Sequence, residues 1–164
     1  MNTNNNLEFC IIGCGRLGIS LAVFLSKQGY IPKAFSSQHT ESAQKAVEFT
    51  GAGQVIENPV EAVGTCNLAF LTTPDTIIEP VCEAISNENG FDNDSVVYHL
   101  SGALSSSILT SAKKNGASTG SIHPLQAFAP YEKGQDSPFK GINMSIEGDS
   151  KAIELGKEIV NALK

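Results

Sequence analysis

A glycine-rich turn near the N-terminus constrains the fold of this chain more than any other feature. Residues Gly13 to Gly18 run Gly-Cys-Gly-Arg-Leu-Gly and match the pattern GxGxxG. The turn directly follows an apolar run, Leu7 to Ile12, which predicts a buried strand. Apolar residues then recur at helical spacing from Arg16 to Gln28, and Gly29 stands where such a helix would end. The sequence therefore predicts a strand, a tight turn and a helix in immediate succession.

Each glycine of this turn has a physical task in that context. Gly13 permits the tight turn, Gly15 lets the backbone approach a pyrophosphate, and Gly18 allows the helix to pack closely on the strand. The N–H groups at the helix start, around Arg16 and Leu17, have no partner within the helix and can bind phosphate oxygens. A role in helix–strand packing alone is the alternative. We expect all five residues to bind a dinucleotide cofactor.

Short apolar runs and helical patterns continue to alternate along the chain. Further strands are expected at 31–35, 54–56, 67–72, 95–100, 117–122 and 141–147, and further helices near 40–49, 74–85, 105–115 and 150–163. Strands that alternate with helices of about 10 to 15 residues indicate βαβ units around a parallel sheet. We predict a three-layer αβα, α/β fold: a doubly wound, mostly parallel sheet of the Rossmann type with strand order 3-2-1-4-5-6.

The segment after the second predicted strand bears on the choice between NAD and NADP. In NAD-selective sites a carboxylate roughly 20 residues beyond the glycine turn binds the ribose 2′-OH. Residues 35–40 instead run Phe-Ser-Ser-Gln-His-Thr. The hydroxyls of Ser36 and Ser37 can donate to a 2′-phosphate, Arg16 can add a positive charge, and His39 contributes when protonated. We therefore expect NADP. Alternatively, the two serines only start a loop or cap the next helix.

Three further segments follow the carboxyl ends of predicted strands, where open parallel sheets bind ligands. Thr72, Thr73 and Pro74 form the first, which is expected beneath the ribose of the cofactor's nicotinamide half. Ser101 and His123 lie in the other two. Carbonyl reduction or alcohol oxidation needs a proton donor or acceptor beside the hydride path, and an imidazole can serve as either. Ser101 and His123 are therefore the expected catalytic residues, with a structural role as the alternative.

Two other segments lead to structural expectations. His99 lies within a predicted strand, so we expect it to be packed or hydrogen-bonded in the core. Residues 123–140 are rich in proline and glycine and show no regular period, which predicts a long loop. Phe128 and Tyr131 of this loop are candidates for a partial cover over the site.

Charge and cysteine content exclude several classes of function. Seventeen acidic and 11 basic side chains give a formal net charge of -6 without a basic run, so no nucleic-acid partner is expected. The four cysteines form no CxxC pair and have no histidine at zinc-site spacing, so no metal site is expected. The polar N-terminus predicts neither a signal peptide nor a membrane span. These features together favour a cytoplasmic protein with free thiols that does not bind membranes.

Four segments in a fixed order resemble those of a known family. They are the glycine turn, Leu71-Thr72-Thr73-Pro74-Asp75, His99-Leu100-Ser101-Gly102-Ala103 and Gly120-Ser121-Ile122-His123-Pro124-Leu125-Gln126-Ala127-Phe128. Over nearly its whole length the chain resembles a Rossmann-like NAD(P)-binding family that carries an uncharacterised helical C-terminal domain. That family is related to pyrroline-5-carboxylate reductase, 3-hydroxyacid dehydrogenases and prephenate dehydrogenase. In prephenate dehydrogenases a similar serine and a His-Pro histidine contact substrate, which implies those roles for Ser101 and His123.

The resemblance implies an NADP-dependent oxidoreductase, or its cofactor-binding domain, that transfers a hydride between NADP(H) and a small carbonyl, hydroxy or imine substrate. Residues 125–128, Leu-Gln-Ala-Phe, depart from the glycine-containing turn of prephenate dehydrogenase, so its substrate is not carried over. Relatives continue into a helical domain that closes the substrate site and often forms a homodimer. Residues 1–164 end before it, so we expect one dinucleotide-binding domain, either a fragment or a shortened relative. A non-catalytic module that senses NADP(H) is the main alternative.

Overall fold

The computed structural model describes residues 7–164, and a seven-stranded sheet runs through them. The strands are β1 Glu8–Ile12, β2 Ile31–Ser36, β3 Gln54–Val55, β4 Leu68–Leu71, β5 Val96–His99, β6 Ser118–Pro124 and β7 Met144–Gly148. Their order along the sheet is β3-β2-β1-β4-β5-β6-β7, and every neighbouring pair is parallel except β6 and β7. The predicted order 3-2-1-4-5-6 is confirmed, and β7 adds an antiparallel edge strand.

Helices cover both faces of this sheet. They are α1 Arg16–Lys27, α2 Thr40–Thr50, α3 Pro59–Val63, α4 Asp75–Asn87, α5 Thr110–Lys114 and α6 Ser150–Leu163. Side chains along β1 alternate between the faces: Phe9 and Ile11 pack with α1, α2 and α6, whereas Cys10 and Ile12 pack with α3, α4 and α5. This is the three-layer, doubly wound Rossmann architecture predicted from the sequence. Within the described part of the chain, no helix has the length and apolar content needed to cross a membrane.

Two helical segments differ from the sequence prediction. The sequence pattern does not indicate α3, because five residues are too few to show a period; its start is stabilised by Asn58, whose side-chain oxygen accepts from the Val60 N–H at 2.9 Å. The helix expected at 105–115 is instead a 3-10 turn, Ser106–Leu109, followed by the short α5. Neither difference changes the topology, because both segments connect strands that were predicted correctly.

The long segment between β6 and β7 packs on the face of the sheet covered by α1, α2 and α6. Tyr131 lies edge-on against Phe49 of α2, with ring centroids 4.9 Å apart. Phe139 is fully buried, and Phe128 packs against it with ring centroids 5.1 Å apart. Phe128 and Tyr131, expected to cover the site partly, therefore extend the apolar core instead.

Candidate dinucleotide-binding site

Two glycines of the turn are required by the fold itself. Gly13 has a φ of +102°, and a Cβ added there would lie 2.6 Å from the backbone nitrogen of Thr73. Its N–H donates to the Ser36 carbonyl at 2.7 Å, which joins the turn to the end of β2. Gly18 is buried in α1, where an added Cβ would lie 2.4 Å from the Gly13 carbonyl oxygen and 2.6 Å from Thr72 Oγ1. Gly13 and Gly18 therefore have turn and packing roles.

Gly15 differs from them because nothing in the described protein requires a glycine at that position. Its φ of -79° suits any residue, and no atom of residues 7–164 beyond its chain neighbours lies within 4 Å of an added Cβ. Gly15 is the exposed N-cap of α1, which has no side-chain cap and no acidic residue in its first turn. The first N–H groups of α1 are therefore open to an external acceptor.

The glycine turn lines a cavity of about 690 Å³. This cavity lies at the carboxyl ends of β1, β2 and β4, where the strand order reverses and parallel sheets bind ligands. The residues that line it are Ile12, Gly13, Cys14, Gly15, Arg16, Leu17, Ser36, Ser37, Gln38, His39, Ser42, Glu57, Pro59, Thr72, Thr73, Pro74, Ile77 and Val81. All predicted cofactor-binding residues are among them except Gly18, which packs beneath the turn. The volume is typical of ligand pockets.

The turn after β4 is tied to the glycine turn. Thr72 Oγ1 donates to the Gly13 carbonyl at 2.6 Å, and the Thr72 N–H donates to the Ile12 carbonyl at 2.8 Å. Thr73 lines the cavity, and its buried Oγ1 has no hydrogen-bond partner among residues 7–164. A buried hydroxyl without a partner costs about 1 to 3 kcal/mol, which a hydrogen-bonding ligand can offset. Pro74 precedes α4 as its N-cap.

The two serines at the end of β2 differ in whether their hydroxyl groups are available. Ser36 is 3% exposed, and its Oγ donates to the Glu57 carbonyl at 3.0 Å. Ser37 Oγ accepts a long bond of 3.4 Å from the Cys14 N–H, which leaves the Ser37 O–H available to a ligand. Of the two predicted 2′-phosphate donors, Ser37 therefore offers the usable proton. Burial raises the pKa of the Cys14 thiol to about 12, so this side chain is neutral at pH 7.

The cavity also contains side chains that the sequence pattern does not place there. Glu57 follows β3, and its Oε1 accepts from Thr40 Oγ1 at 3.3 Å. Pro59, Ile77 and Val81 form an apolar wall, in which Ile77 is 43% exposed. These residues come from separate segments, so no local pattern shows that they meet. The sequence holds one signal for the apolar wall. Two consecutive isoleucines stand at the start of α4, and because they do not both face the core, one of them is left for the cavity.

Ser101 and His123 lie at the neighbouring ends of β5 and β6. His123 Nδ1 is 3.3 Å from the Leu100 carbonyl oxygen, and Gly102 packs against the imidazole ring. Ser101 is 9% exposed; its Oγ accepts from the Ala103 N–H at 3.1 Å and keeps its own proton free. Neither residue lines the 690 Å³ cavity. The predicted catalytic pair thus occupies adjacent ends of β5 and β6, the strands that follow β4 in the sheet.

His99 is a core residue, as the sequence predicts. It is fully buried, and its Nδ1 accepts from the Ser101 N–H at 3.1 Å. Burial lowers the pKa of His99 below 6.5, so its imidazole is neutral at pH 7. The neutral ring thereby supports the backbone of the loop that carries Ser101.

Comparison with solved structures identifies proteins with the same fold. A protein from Bacteroides fragilis assigned as an NADP oxidoreductase is 20% identical, with a TM-score of 0.80, and the match covers 95% of this chain and 56% of that one. A prephenate dehydrogenase from Aquifex aeolicus, in complex with hydroxyphenyl propionate and NAD+, is 17% identical, with a TM-score of 0.77 and coverages of 96% and 57%. A pyrroline-5-carboxylate reductase from Coxiella burnetii is 14% identical, with a TM-score of 0.75 and coverages of 97% and 57%. The chain therefore spans a little over half the length of these proteins.

Comparison of the sequence itself gives the family. No curated protein matches it. A family model described as Rossmann-like domain matches residues 2–124, which contain the glycine turn, β1 to β6 and the other predicted site residues up to His123. The sheet order and the position of the cavity agree with that match. The chain belongs to the Rossmann-like domain family.

Proposed function

We propose that this chain is the NAD(P)(H)-binding domain of an oxidoreductase that transfers a hydride between the cofactor and a small carbonyl, hydroxy or imine substrate. Gly15 carries the proposal. The described fold has no packing or backbone requirement for glycine there, yet the missing side chain opens the start of α1 to the cavity. A pyrophosphate needs both properties, because it must approach the backbone closely and accept from the first N–H groups of the helix.

The rest of the cavity also fits a dinucleotide. Arg16 places a positive charge beside the expected phosphates, and the apolar wall of Pro59, Ile77 and Val81 suits the face of an adenine ring. In the turn after β4, which also lines the cavity, Thr73 Oγ1 is a buried hydroxyl that has no partner among residues 7–164. A hydroxyl group of the cofactor's second ribose can supply that partner.

NADP is the cofactor that we expect within this function. Residues 36–40 contain no carboxylate, the Ser37 O–H is available, and Arg16 lines the same cavity. A guanidinium and a hydroxyl are both suited to bind a 2′-phosphate. The solved relatives include one assigned as an NADP oxidoreductase and one in complex with NAD+, so the fold alone does not select between the two.

Ser101 and His123 provide the proton chemistry in this proposal, and the cofactor supplies or accepts the hydride. A carbonyl oxygen only accepts, so the contact with Leu100 requires a proton on His123 Nδ1. Nε2 of the neutral ring then has a free lone pair that can take the proton of an alcohol during oxidation. The protonated ring returns that proton during reduction. Ser101 donates its O–H to the substrate oxygen or nitrogen and orients it.

A thermal-shift screen tests the binding function directly. A ligand at 100 times its dissociation constant stabilises the folded state by about 2.7 kcal/mol. We expect stabilisation by NADP, a smaller effect of NAD, and none by flavin nucleotides. Positive ligands are then assayed for turnover with 2-oxo acids, 3-hydroxy acids, cyclic imines and prephenate. Stabilisation by a flavin alone, or by no nucleotide, contradicts the proposal.

A further inference from the structure

A carboxylate enters the cofactor cavity from the turn after β3. The Ile56 N–H donates to the Phe35 carbonyl at 3.0 Å, and Ser36 Oγ donates to the Glu57 carbonyl at 3.0 Å. These two bonds fix the turn along the end of β2. Glu57 Oε1 in addition accepts from Thr40 Oγ1 at 3.3 Å, at the first residue of α2. The Glu57 side chain is therefore held across the turn that connects β2 to α2.

That position has a chemical meaning in a dinucleotide site. The ribose next to adenine is bound at the end of β2, where an acidic side chain normally accepts from its 2′-OH. In this chain residues 36–40 contain no acid, but Glu57 comes to the same turn from another segment. Of the residues that line the cavity within 7–164, Glu57 alone bears a carboxylate and Arg16 alone bears a lysine or arginine charge. Arg16 attracts a 2′-phosphate, whereas Glu57 repels it.

We propose that Glu57 is a specificity-determining residue for the cofactor. Its carboxylate accepts from the ribose 2′-OH of NAD and repels the 2′-phosphate of NADP. Glu57 thereby reduces the preference for NADP over NAD that Ser37 and Arg16 provide. As a result, the chain binds both cofactors. This inference rests on the proposed function, because it concerns the same cavity.

The test compares two charge-removing variants. Glu57→Gln keeps an oxygen that accepts from Thr40 and changes only the charge of an exposed side chain, so the fold is preserved. Glu61→Gln is the matched control, because Glu61 is also exposed, lies in α3 and does not line the cavity. Titration calorimetry gives the dissociation constants of NADP and NAD for the wild type and both variants. Titration with adenosine 2′,5′-bisphosphate and 5′-AMP repeats the comparison on the adenosine half alone.

We expect Glu57→Gln to raise the ratio of NADP affinity to NAD affinity about tenfold, because removing one charge at a few ångströms has roughly that effect. The affinity for adenosine 2′,5′-bisphosphate relative to 5′-AMP should rise by the same factor, and Glu61→Gln should change neither ratio. An unchanged ratio in Glu57→Gln, or an equal rise in Glu61→Gln, overturns the inference while the proposed function stands. A wild type that binds neither dinucleotide overturns the proposed function, and the inference with it.

Discussion

Gly102 packs directly against the imidazole ring of His123: a Cβ added to Gly102 would lie 2.2 Å from Nε2 and 2.4 Å from Cε1. The contact arises because β5 and β6 are parallel neighbours that end side by side. Together with the bond between Nδ1 and the Leu100 carbonyl, it fixes both the position and the orientation of the ring. The absence of a side chain at Gly102 is thus a requirement set by His123.

This contact predicts coupled effects of two substitutions. Gly102→Ala should destabilise the protein by about 1 to 3 kcal/mol, because the new methyl group forces the ring or the loop to move. In a His123→Ala background the same substitution should cost almost nothing. Urea unfolding of the wild type, both single variants and the double variant measures the coupling. Strictly additive free energies of unfolding would show that the ring does not depend on Gly102.

The three glycines of the turn should differ in their effect on stability. Gly13→Ala and Gly18→Ala should each cost about 2 to 4 kcal/mol, since an added Cβ meets backbone atoms and Gly13 also has a positive φ. Gly15→Ala should cost no more than about 1 kcal/mol, because its Cβ contacts no other group and only the N-cap preference for glycine over alanine is lost. Urea unfolding again provides the measurement. A Gly15→Ala variant as unstable as Gly13→Ala would mean that the whole turn serves packing.

The two serines at the end of β2 should respond differently to an added carboxylate. Ser37→Asp should shift the preference from NADP towards NAD by about ten- to hundredfold, which corresponds to roughly 1 to 3 kcal/mol. Ser36→Asp should instead destabilise the fold, because it places a charge at a position that is 3% exposed. Calorimetric titration of the first variant and urea unfolding of the second test the distinction. An unchanged cofactor ratio in Ser37→Asp would count against Ser37 as a ligand of the 2′ group.

Buried His99 predicts a loss of stability in mild acid. The unfolded chain binds a proton on this residue near pH 6.5, whereas the folded chain binds it only at lower pH. The stability that depends on neutral His99 is therefore complete above pH 6.5 and declines as the pH falls below it, by up to about 1.4 kcal/mol per pH unit. The lowered pKa values of Asp92 and Asp149 reduce the free energy of unfolding only as the pH falls below about 3.8.

A substitution separates the contribution of His99 from other titrations. His99→Asn keeps an acceptor for the Ser101 N–H but does not titrate, so its stability should change little between pH 7 and pH 5. His39→Asn, at an exposed position, should retain the acid sensitivity of the wild type. Denaturant unfolding at several pH values measures both. Equal acid sensitivity of His99→Asn and the wild type would exclude His99 as the cause.

The strand order and most of the cavity could be predicted because their signals are local. Buried strands, helix periods and the GxGxxG turn each occupy one short stretch, and parallel topology then brings the strand ends together. Thr72 and Thr73 meet the glycine turn for this reason. The pair Ser101 and His123 follows from the same rule, since β5 and β6 are neighbours.

Other features depend on tertiary contacts that no local pattern contains. Glu57 reaches the end of β2 because Ile56 and Ser36 bond the turn after β3 to that strand and Thr40 donates to the Glu57 carboxylate, so the sequence of residues 35–40 does not reveal it. Tyr131 lies in a stretch without a period, and its position is set by the ring of Phe49 in α2. The difference between Ser36 and Ser37 likewise becomes visible only when the acceptor at Glu57 is known.

Calorimetric titration of NADP into the wild type, Gly15→Asp, Ser101→Ala and His123→Ala tests the central claim that the cavity binds a dinucleotide. Aspartate is favourable at a helix N-cap, so Gly15→Asp should stay folded. Its carboxylate should repel the pyrophosphate and weaken NADP binding at least about tenfold. Ser101→Ala and His123→Ala should bind within about threefold of the wild type, because neither residue lines the cavity. Wild-type affinity in a folded Gly15→Asp variant would contradict the claim and leave the glycine turn with a packing role alone.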